Sequence, residues 1–193
     1  ALLNNEKGLH IDKDHFMTIS PDEGSMNRAI YLANVLGVDM GMYYKRLDYS
    51  RYVNGRHPIA AYEFLGPKIE GKDMILIDDM ISSGDTIIKI ASLLKEKGAG
   101  RVYICSTFGF FTDGLDKFDD AYKKGYFDKL LTTNLVYQSP ELLEKPYYIS
   151  CDMSKYIALI IDTLNHDNSV SHLLNPVDRI KRCVANYMSQ YEK

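Results

Sequence analysis

The chain has 193 residues, of which 46% are hydrophobic and 25% are charged, and its formal net charge is −3 at pH 7. A chain of this length can bury a full core, so we treat its main part as one domain. The slight acidity argues against a nucleic-acid partner, because duplex binding normally needs a clustered basic face. No apolar run approaches the ~20 residues of a membrane span and the N-terminus lacks a signal-peptide pattern, so we expect no membrane association.

The chain has three cysteines, Cys105, Cys151 and Cys183. Their number is odd and their spacing is wide, which fits neither a CxxC metal site nor a disulfide framework. We therefore predict reduced thiols and a cytoplasmic protein.

The first fifteen residues, ALLNNEKGLHIDKDH, contain no strand pattern and end in a polar connector. We predict that residues 1–15 are the remnant of an interdomain connector. The next run, HFMTIS, is predicted to be the first core strand. A turn follows it, and apolar residues at helical spacing then predict a helix; they are Ala29, Ile30, Leu32, Ala33 and Leu36.

The loop before that helix combines small and acidic residues at a helix start: Asp22, Glu23, Gly24 and Ser25. An ordinary Pro-Asp helix start is the simplest interpretation of this loop. A ligand-binding loop is the alternative, which gains weight because a second loop of the same kind occurs later in the chain.

A second strand is predicted in VDMGMYYKR, with Lys45 and Arg46 at its exit. The polar loop LDYSRYVNGRHP follows, with further cations at Arg51 and Arg56, and IAAYEFLG is predicted to return from it as a strand. Charged loops are usually solvated surface. Here the loop opens beside two predicted phosphate sites, which favours mobile cations that close over phosphates.

The central stretch, DMILIDDMISSGDTII, carries the strongest pattern in the chain. Its apolar start predicts a buried strand of a parallel sheet, which ends in Asp78 and Asp79. Ser82, Ser83, Gly84, Asp85 and Thr86 form a small polar turn before an amphipathic helix. Ligands bind beyond the carboxyl ends of such strands, and the free N–H groups of a helix start bind anions. Since carboxylates suit sugar hydroxyls or a hard divalent cation, we predict a phosphorylated sugar as the ligand.

The remaining sequence predicts further strands in RVYICSTFGFF, KLLTTNLVY and YYISCDM. A helix capped by Thr112 or Asp113 is predicted between the first two, and SKYIALIIDTLN is predicted to be another helix. We predict an α/β fold with an open parallel sheet of about five strands, flanked by helices and carrying a flexible loop hairpin. The predicted domain spans residues 16–174. A C-terminal helical extension, residues 175–193, has Val177, Ile180, Val184 and Tyr187 on one face.

The central pattern of two aspartates, two apolar residues and then small-Ser-Gly-any-Thr resembles the phosphoribosyl-diphosphate-binding signature of type I phosphoribosyltransferases and of ribose-phosphate diphosphokinases. The run SPDEGS resembles the diphosphate-binding loop of the diphosphokinases, whose second strand also ends in Lys-Arg. The ending NSVSHLL is similar to theirs and unlike that of transferases acting on bases. The chain therefore resembles the C-terminal, phosphoribosyltransferase-like domain of a ribose-phosphate diphosphokinase.

The resemblance implies transfer of diphosphate from ATP to ribose 5-phosphate, which makes phosphoribosyl diphosphate for nucleotide biosynthesis. It implies catalytic roles for Lys45 and Arg46, and a Mg²⁺ cofactor on Asp22. It also implies a missing N-terminal domain, a homo-oligomer and little activity in this chain alone. The implied diphosphate-binding residues are Asp22, Glu23, Gly24 and Ser25. The implied ribose 5-phosphate-binding residues are Asp78, Asp79, Ser82, Ser83, Gly84, Asp85 and Thr86.

Two residues depart from the family pattern. Leu47 stands where the diphosphokinases have a second Arg, and Ser82 stands where base phosphoribosyltransferases commonly have an Asp near the anomeric carbon. These departures leave open a non-catalytic regulatory or ligand-sensing homologue. A base phosphoribosyltransferase is a further alternative, although no segment suggests the hood that would recognise a base.

Overall fold

The computed structural model describes residues 1–52, 55 and 57–190. Its centre is a seven-stranded sheet in the order β3-β2-β1-β4-β5-β6-β7. The strands are β1 (Phe16–Ser20), β2 (Asp39–Leu47), β3 (Ile59–Leu65), β4 (Asp73–Ile81), β5 (Val102–Gly109), β6 (Lys129–Thr133) and β7 (Tyr148–Cys151).

Helices alternate with most of the strands, as the sequence patterns predict. The helices are α1 (Leu2–Asn5), α2 (Met26–Leu36), α3 (Asp85–Glu96), α4 (Asp116–Lys123), α5 (Pro140–Leu143), α6 (Ser154–Asn165), α7 (Ser171–Leu174) and α8 (Val177–Met188). A short 3-10 turn, Glu23–Ser25, precedes α2. In the described part of the chain, no helix is both long and apolar enough to span a membrane.

The predicted α/β fold with an open, mostly parallel sheet is confirmed. All neighbouring strands are parallel except β2 and β3, which form an antiparallel hairpin. The sheet has seven strands instead of about five, because β3 pairs with β2 at one edge and β7 pairs with β6 at the other. An antiparallel edge strand on a parallel sheet is common in this fold class.

The core lies on both faces of the sheet. On one face, Ile87, Ile90 and Leu94 of α3 pack with sheet residues such as Met74 and Leu76. The opposite face buries Phe16, Ile75 and Tyr103 against Ala33 of α2 and Tyr187 of α8. Side chains alternate between the faces along each strand, so apolar runs such as Met74–Ile77 serve both layers.

The C-terminal helix has the predicted buried side. Tyr187 is 5% exposed, and its hydroxyl accepts a hydrogen bond from Leu9 N at 3.0 Å and donates one to Glu6 O at 3.0 Å. The helix therefore packs on the N-terminal segment as well as on α2.

The order of the strands determines where a ligand site can form. The chain moves from β1 to β2 on one side, returns through the hairpin, and continues with β4 on the other side of β1. A crevice opens where the strand order reverses, and open α/β sheets bind their ligands in this crevice. The residues that follow β1 and β4 therefore meet at one point.

Candidate functional site

Two polar loops meet beyond the carboxyl ends of β1 and β4. The Ser25 hydroxyl, buried at the start of α2, donates a hydrogen bond to Asp78 Oδ1 at 2.7 Å. The two loops enclose a cavity of about 160 Å³. Its lining residues are Asp22, Asp78, Met80, Ile81, Ser82, Ser83, Gly84, Asp85, Thr86 and Ile87. The structure thus brings two predicted diphosphate-binding residues, Asp22 and Ser25, to the predicted ribose 5-phosphate site.

The two adjacent aspartates of β4 point to different faces of the sheet, as strand alternation requires. Asp78 lines the cavity, whereas Asp79 lies 3.5 Å from Arg28 of α2 in an exposed ion pair. The pattern Asp-Asp therefore provides one carboxylate inside the cavity and one beside it.

Burial raises the pKa of the Asp78 carboxyl above its ordinary value of 3.8, and the negative charge of Asp22 adds to this effect. Hydrogen bonds from the Ser25 hydroxyl and the Asp79 N–H, the latter at 2.8 Å, act in the opposite direction because they stabilise the carboxylate. Asp78 therefore places in the cavity a carboxyl group whose present donors are the Ser25 hydroxyl and the Asp79 N–H.

The turn of residues 82–86, named the phosphate turn after its predicted ligand, is shaped by a glycine. Gly84 has a φ of +83°, and a Cβ added there would lie 2.3 Å from Phe118 Cζ. A glycine at this position lets the backbone approach a ligand closely. The structure adds a second reason, since the ring of Phe118 on α4 fills the space that a side chain would need.

The side chains of the turn bond to one another and to α4. The Ser83 hydroxyl donates to Asp85 Oδ2 at 2.9 Å, and Lys117 Nζ donates to Asp85 Oδ1 at 2.8 Å and to Asp113 Oδ2 at 3.0 Å. The Lys117 and Ser83 hydrogen bonds lower the pKa of the Asp85 carboxyl, although burial opposes them slightly. Asp85 is therefore ionised and directed toward α4.

The prediction that Thr112 or Asp113 caps α4 is wrong. Leu115 occupies the N-cap position and makes no side-chain cap hydrogen bond. Thr112 instead contacts the phosphate turn: its N–H donates to Ser82 O at 3.1 Å, and its hydroxyl lies 3.3 Å from the Ser82 hydroxyl.

Sequence reasoning missed Thr112, Lys117 and Phe118 as neighbours of the turn. The adjacency of β4 and β5 brings them there, because the loop after β5 runs beside the loop after β4. A sequence pattern carries this information only once the order of the strands is known.

Asp22 organises the other side of the cavity. Its Oδ1 accepts from Gly24 N at 3.1 Å and its Oδ2 lies 3.3 Å from Lys45 Nζ, while the Ser20 hydroxyl donates to its backbone carbonyl at 2.6 Å. Lys45, at the end of β2, therefore reaches the site. Glu23, next to Asp22, is exposed and is absent from the cavity lining.

The other predicted cations lie farther from the cavity. Arg46 alternates to the other face of the hairpin and pairs with Glu63 at 2.8 Å, and both side chains are exposed. Arg51 donates its backbone N–H to Asp48 O at 3.3 Å. Arg56, the other predicted loop cation, lies outside the described residues.

The donor set at the cavity fits a Mg²⁺ ion that is shared with phosphates. In the described ranges, no three His, Cys, Asp or Glu side chains come together as a metal-binding group. Mg²⁺, however, commonly uses only one or two carboxylates, with phosphate oxygens and waters as its other ligands. Asp22 and Asp78 supply two carboxylates to one cavity.

The fold and the cavity define the class of this protein: it is an α/β protein of the type I phosphoribosyltransferase-like kind. The family model described as "Phosphoribosyl synthetase-associated domain" matches residues 56–175. The chain belongs to this family.

Curated relatives agree with the family. The chain is 29% identical over 163 residues to the ribose-phosphate pyrophosphokinase of Vibrio parahaemolyticus, covering 84% of this chain and 49% of the relative. It is 31% identical over 121 residues to the enzyme of the same name from Thermococcus kodakarensis, covering 62% of this chain and 39% of the relative. The predicted resemblance to the diphosphokinases is confirmed, and the chain spans about half the length of the first of these relatives.

A solved structure has the same fold. The phosphoribosylpyrophosphate synthetase from Mycobacterium smegmatis aligns with a TM-score of 0.65 and 23% identity, covering 79% of this chain and 46% of that one. At this identity the likeness concerns the architecture alone.

Proposed function

We propose that this chain is the C-terminal part of a ribose-phosphate diphosphokinase and provides the ribose 5-phosphate side of its active site. The observation that carries the proposal is the convergence of Asp22, Asp78 and the turn 82–86 on one cavity. The family relatives, which are named ribose-phosphate pyrophosphokinases, support the reaction class. A missing N-terminal part, a homo-oligomer and a cytoplasmic location belong to the same proposal.

In this proposal the turn binds the 5-phosphate. The first N–H groups of a helix have no partner within the helix, and those of α3 face the turn beside the hydroxyls of Ser83 and Thr86. Asp78 accepts hydrogen bonds from ribose hydroxyls in place of those from Ser25 and the Asp79 N–H. The ribose is thereby held with its anomeric hydroxyl toward the loop of Asp22.

The nucleophile in diphosphoryl transfer belongs to the substrate, so the protein positions groups and stabilises charge. Lys45, now paired with Asp22, provides the positive charge for the transferred phosphates. Mg²⁺ would be held by Asp22 together with phosphate oxygens of ATP, and it would neutralise negative charge there. Arg46 stays in the proposal as a second cation that must leave Glu63 before it can act.

Binding and turnover test the proposal separately. Calorimetric titration of ribose 5-phosphate into the 193-residue chain, with and without Mg²⁺, should detect binding that Asp78→Asn weakens by about tenfold. In the full-length protein, AMP should be released from ATP only when ribose 5-phosphate is present. An unsubstituted chain that does not bind ribose 5-phosphate under either condition would contradict the assignment of the cavity.

The second candidate is a non-catalytic homologue that binds the sugar phosphate without turning it over. Leu47 and Ser82 favour it, because Leu47 lacks the charge of the diphosphokinase Arg and Ser82 lacks the charge of the Asp that is common in base transferases. The pairing of Arg46 with Glu63 outside the cavity also favours it. Full-length protein that binds ribose 5-phosphate but releases no AMP would establish this candidate, and the variant Leu47→Arg should then gain activity.

A further inference from the structure

The phosphate turn contains a charge that opposes its proposed role. Asp85 is the first residue of α3 and lines the cavity at the point where the helix would bind a phosphate. Both the carboxylate and a phosphate are attracted to the positive end of the helix, and they repel each other there.

The neighbouring helix supplies a counter-ion at short range. Lys117 Nζ lies 2.8 Å from Asp85 Oδ1, and the Ser83 hydroxyl donates to the other oxygen, Oδ2, at 2.9 Å. Both carboxylate oxygens therefore have donors. Because Lys117 also donates to Asp113, it is held between two carboxylates of the same loop region.

The position of this lysine is fixed by packing. The next residue, Phe118, is fully buried, and its ring occupies the space where a Cβ of Gly84 would lie. The backbone N–H of Thr112 holds the β5–α4 loop to Ser82 O at 3.1 Å. The first turn of α4 is therefore joined to the phosphate turn, so the ammonium group stays within reach of Asp85.

We propose that Lys117 is a positioning residue for phosphate binding, which neutralises Asp85 so that a phosphate monoester can occupy the turn. The inference rests on the proposed function, since it assumes that the turn binds the phosphate of ribose 5-phosphate. Lys117 acts through Asp85 and need not contact the ligand. The affinity for the phosphate therefore depends on Lys117 only while Asp85 carries its charge.

A double-mutant cycle tests this dependence. Ribose 5-phosphate is titrated calorimetrically into the 193-residue chain and its variants Lys117→Gln, Asp85→Asn and the double variant. We expect Lys117→Gln to weaken binding about tenfold in the presence of Asp85, and less than about threefold when residue 85 is Asn. All these side chains are exposed at the surface, and unchanged thermal unfolding midpoints will verify that the variants fold.

A matched control is Lys124→Gln, which removes another lysine from the same groove between α3 and α4. Among the described residues, Asp85 pairs with Lys117 and not with Lys124, so loss of Lys124 should change the affinity less than about twofold.

Each outcome decides the matter. Equal losses for Lys117→Gln in both backgrounds would mean that Lys117 contacts the phosphate directly, which overturns the counter-ion role. Unchanged affinity in both backgrounds overturns it as well, while the proposed function stands because the unsubstituted chain binds. Absence of binding by the unsubstituted chain overturns both proposals.

Discussion

The phosphate turn and the end of β2 contribute opposite parts of the candidate site, and they are held in different ways. The turn is joined to the core through Gly84 and the fully buried Phe118. At the end of β2, by contrast, Lys45 is held by one ion pair with Asp22, and Arg46 by an exposed pair with Glu63.

The two regions differ in how firmly they are held, and this suits them to different roles in ligand binding. A turn that packs into the core has its shape before any ligand arrives, so it can recognise a phosphate with little reorganisation. Ion pairs at a hairpin end contribute little to stability, and their cations can change partners when a charged ligand binds. In the proposed function, the turn therefore recognises the phosphate and the hairpin supplies positive charge.

The packed side is tested most severely at Gly84. Gly84→Ala should lower the free energy of unfolding by about 3 kcal/mol, because it combines a strained positive φ with a clash against Phe118. Gly114→Ala is the matched control, since Gly114 also has a positive φ (+79°) but no atom within 4 Å of an added Cβ. Gly114→Ala should lower the free energy of unfolding, measured by urea denaturation, by only about 1 kcal/mol. Equal losses would show that Phe118 does not constrain the turn.

The role of the hairpin is tested by replacing its two cations, Lys45 and Arg46, one at a time. In the full-length protein, Lys45→Met should reduce the rate of AMP release about a hundredfold, because it removes the cation that is paired with Asp22 of the cavity. Arg46→Met should reduce the rate less than about fivefold, since its guanidinium is directed to Glu63. A larger loss for Arg46→Met than for Lys45→Met would reverse the proposed division between the two residues.

The carboxylate between the two regions gives a pH-dependent effect. Since burial raises the pKa of Asp78, the folded protein holds a proton there more tightly than the unfolded chain does, and ionisation at neutral pH costs stability. Asp78→Asn should therefore raise the Tm of the ligand-free chain by about 2 °C at pH 7. The gain should shrink as the pH falls toward the ordinary value of 3.8, where the carboxyl is increasingly protonated in both states.

Thermal unfolding of both proteins between pH 4 and pH 8 measures the trend. A gain that is the same at both ends of this range would contradict the assignment of the effect to the charge of Asp78.

The smallest effect is expected at the contact between the two loops. Thr112→Val removes the hydroxyl near Ser82 but keeps the backbone hydrogen bond, so it should lower the free energy of unfolding by about 0.5 kcal/mol. Thr112→Ser keeps the hydroxyl and serves as its control. If Thr112→Val costs more than about 2 kcal/mol, side-chain bonding, and not packing at Gly84, is the main support of the turn.

The parts of the fold that depend on local pattern could be predicted from the sequence. The apolar run of β4, the spacing of α3 and the polar turn between them are encoded within one short stretch. The amphipathic face of α8, including Tyr187, follows from the same rule. These patterns involve residues that are close in the chain, so they can be recognised without knowledge of the tertiary structure.

The parts that depend on strand order could not be predicted in this way. Ser25 and Asp78 are 53 positions apart, and they meet because β1 and β4 are neighbours at the switch point. The ion pair of Asp85 with Lys117 has the same origin in the adjacency of β4 and β5. Arg46 lies on the face opposite Lys45 because side chains alternate along β2, and its partner Glu63 comes from the antiparallel strand β3.

The hydrogen bond between Ser25 and Asp78 makes the two loops thermodynamically dependent on each other. A ligand that draws the Asp78 carboxylate away from the Ser25 hydroxyl also removes a support from the loop of Asp22. By thermodynamic linkage, a ligand at Asp78 changes the affinity of the Asp22 loop for its ligand by some factor, and a ligand at the Asp22 loop changes the affinity at Asp78 by the same factor. Ser25→Ala should therefore reduce the energetic coupling between ligands that bind at the two loops.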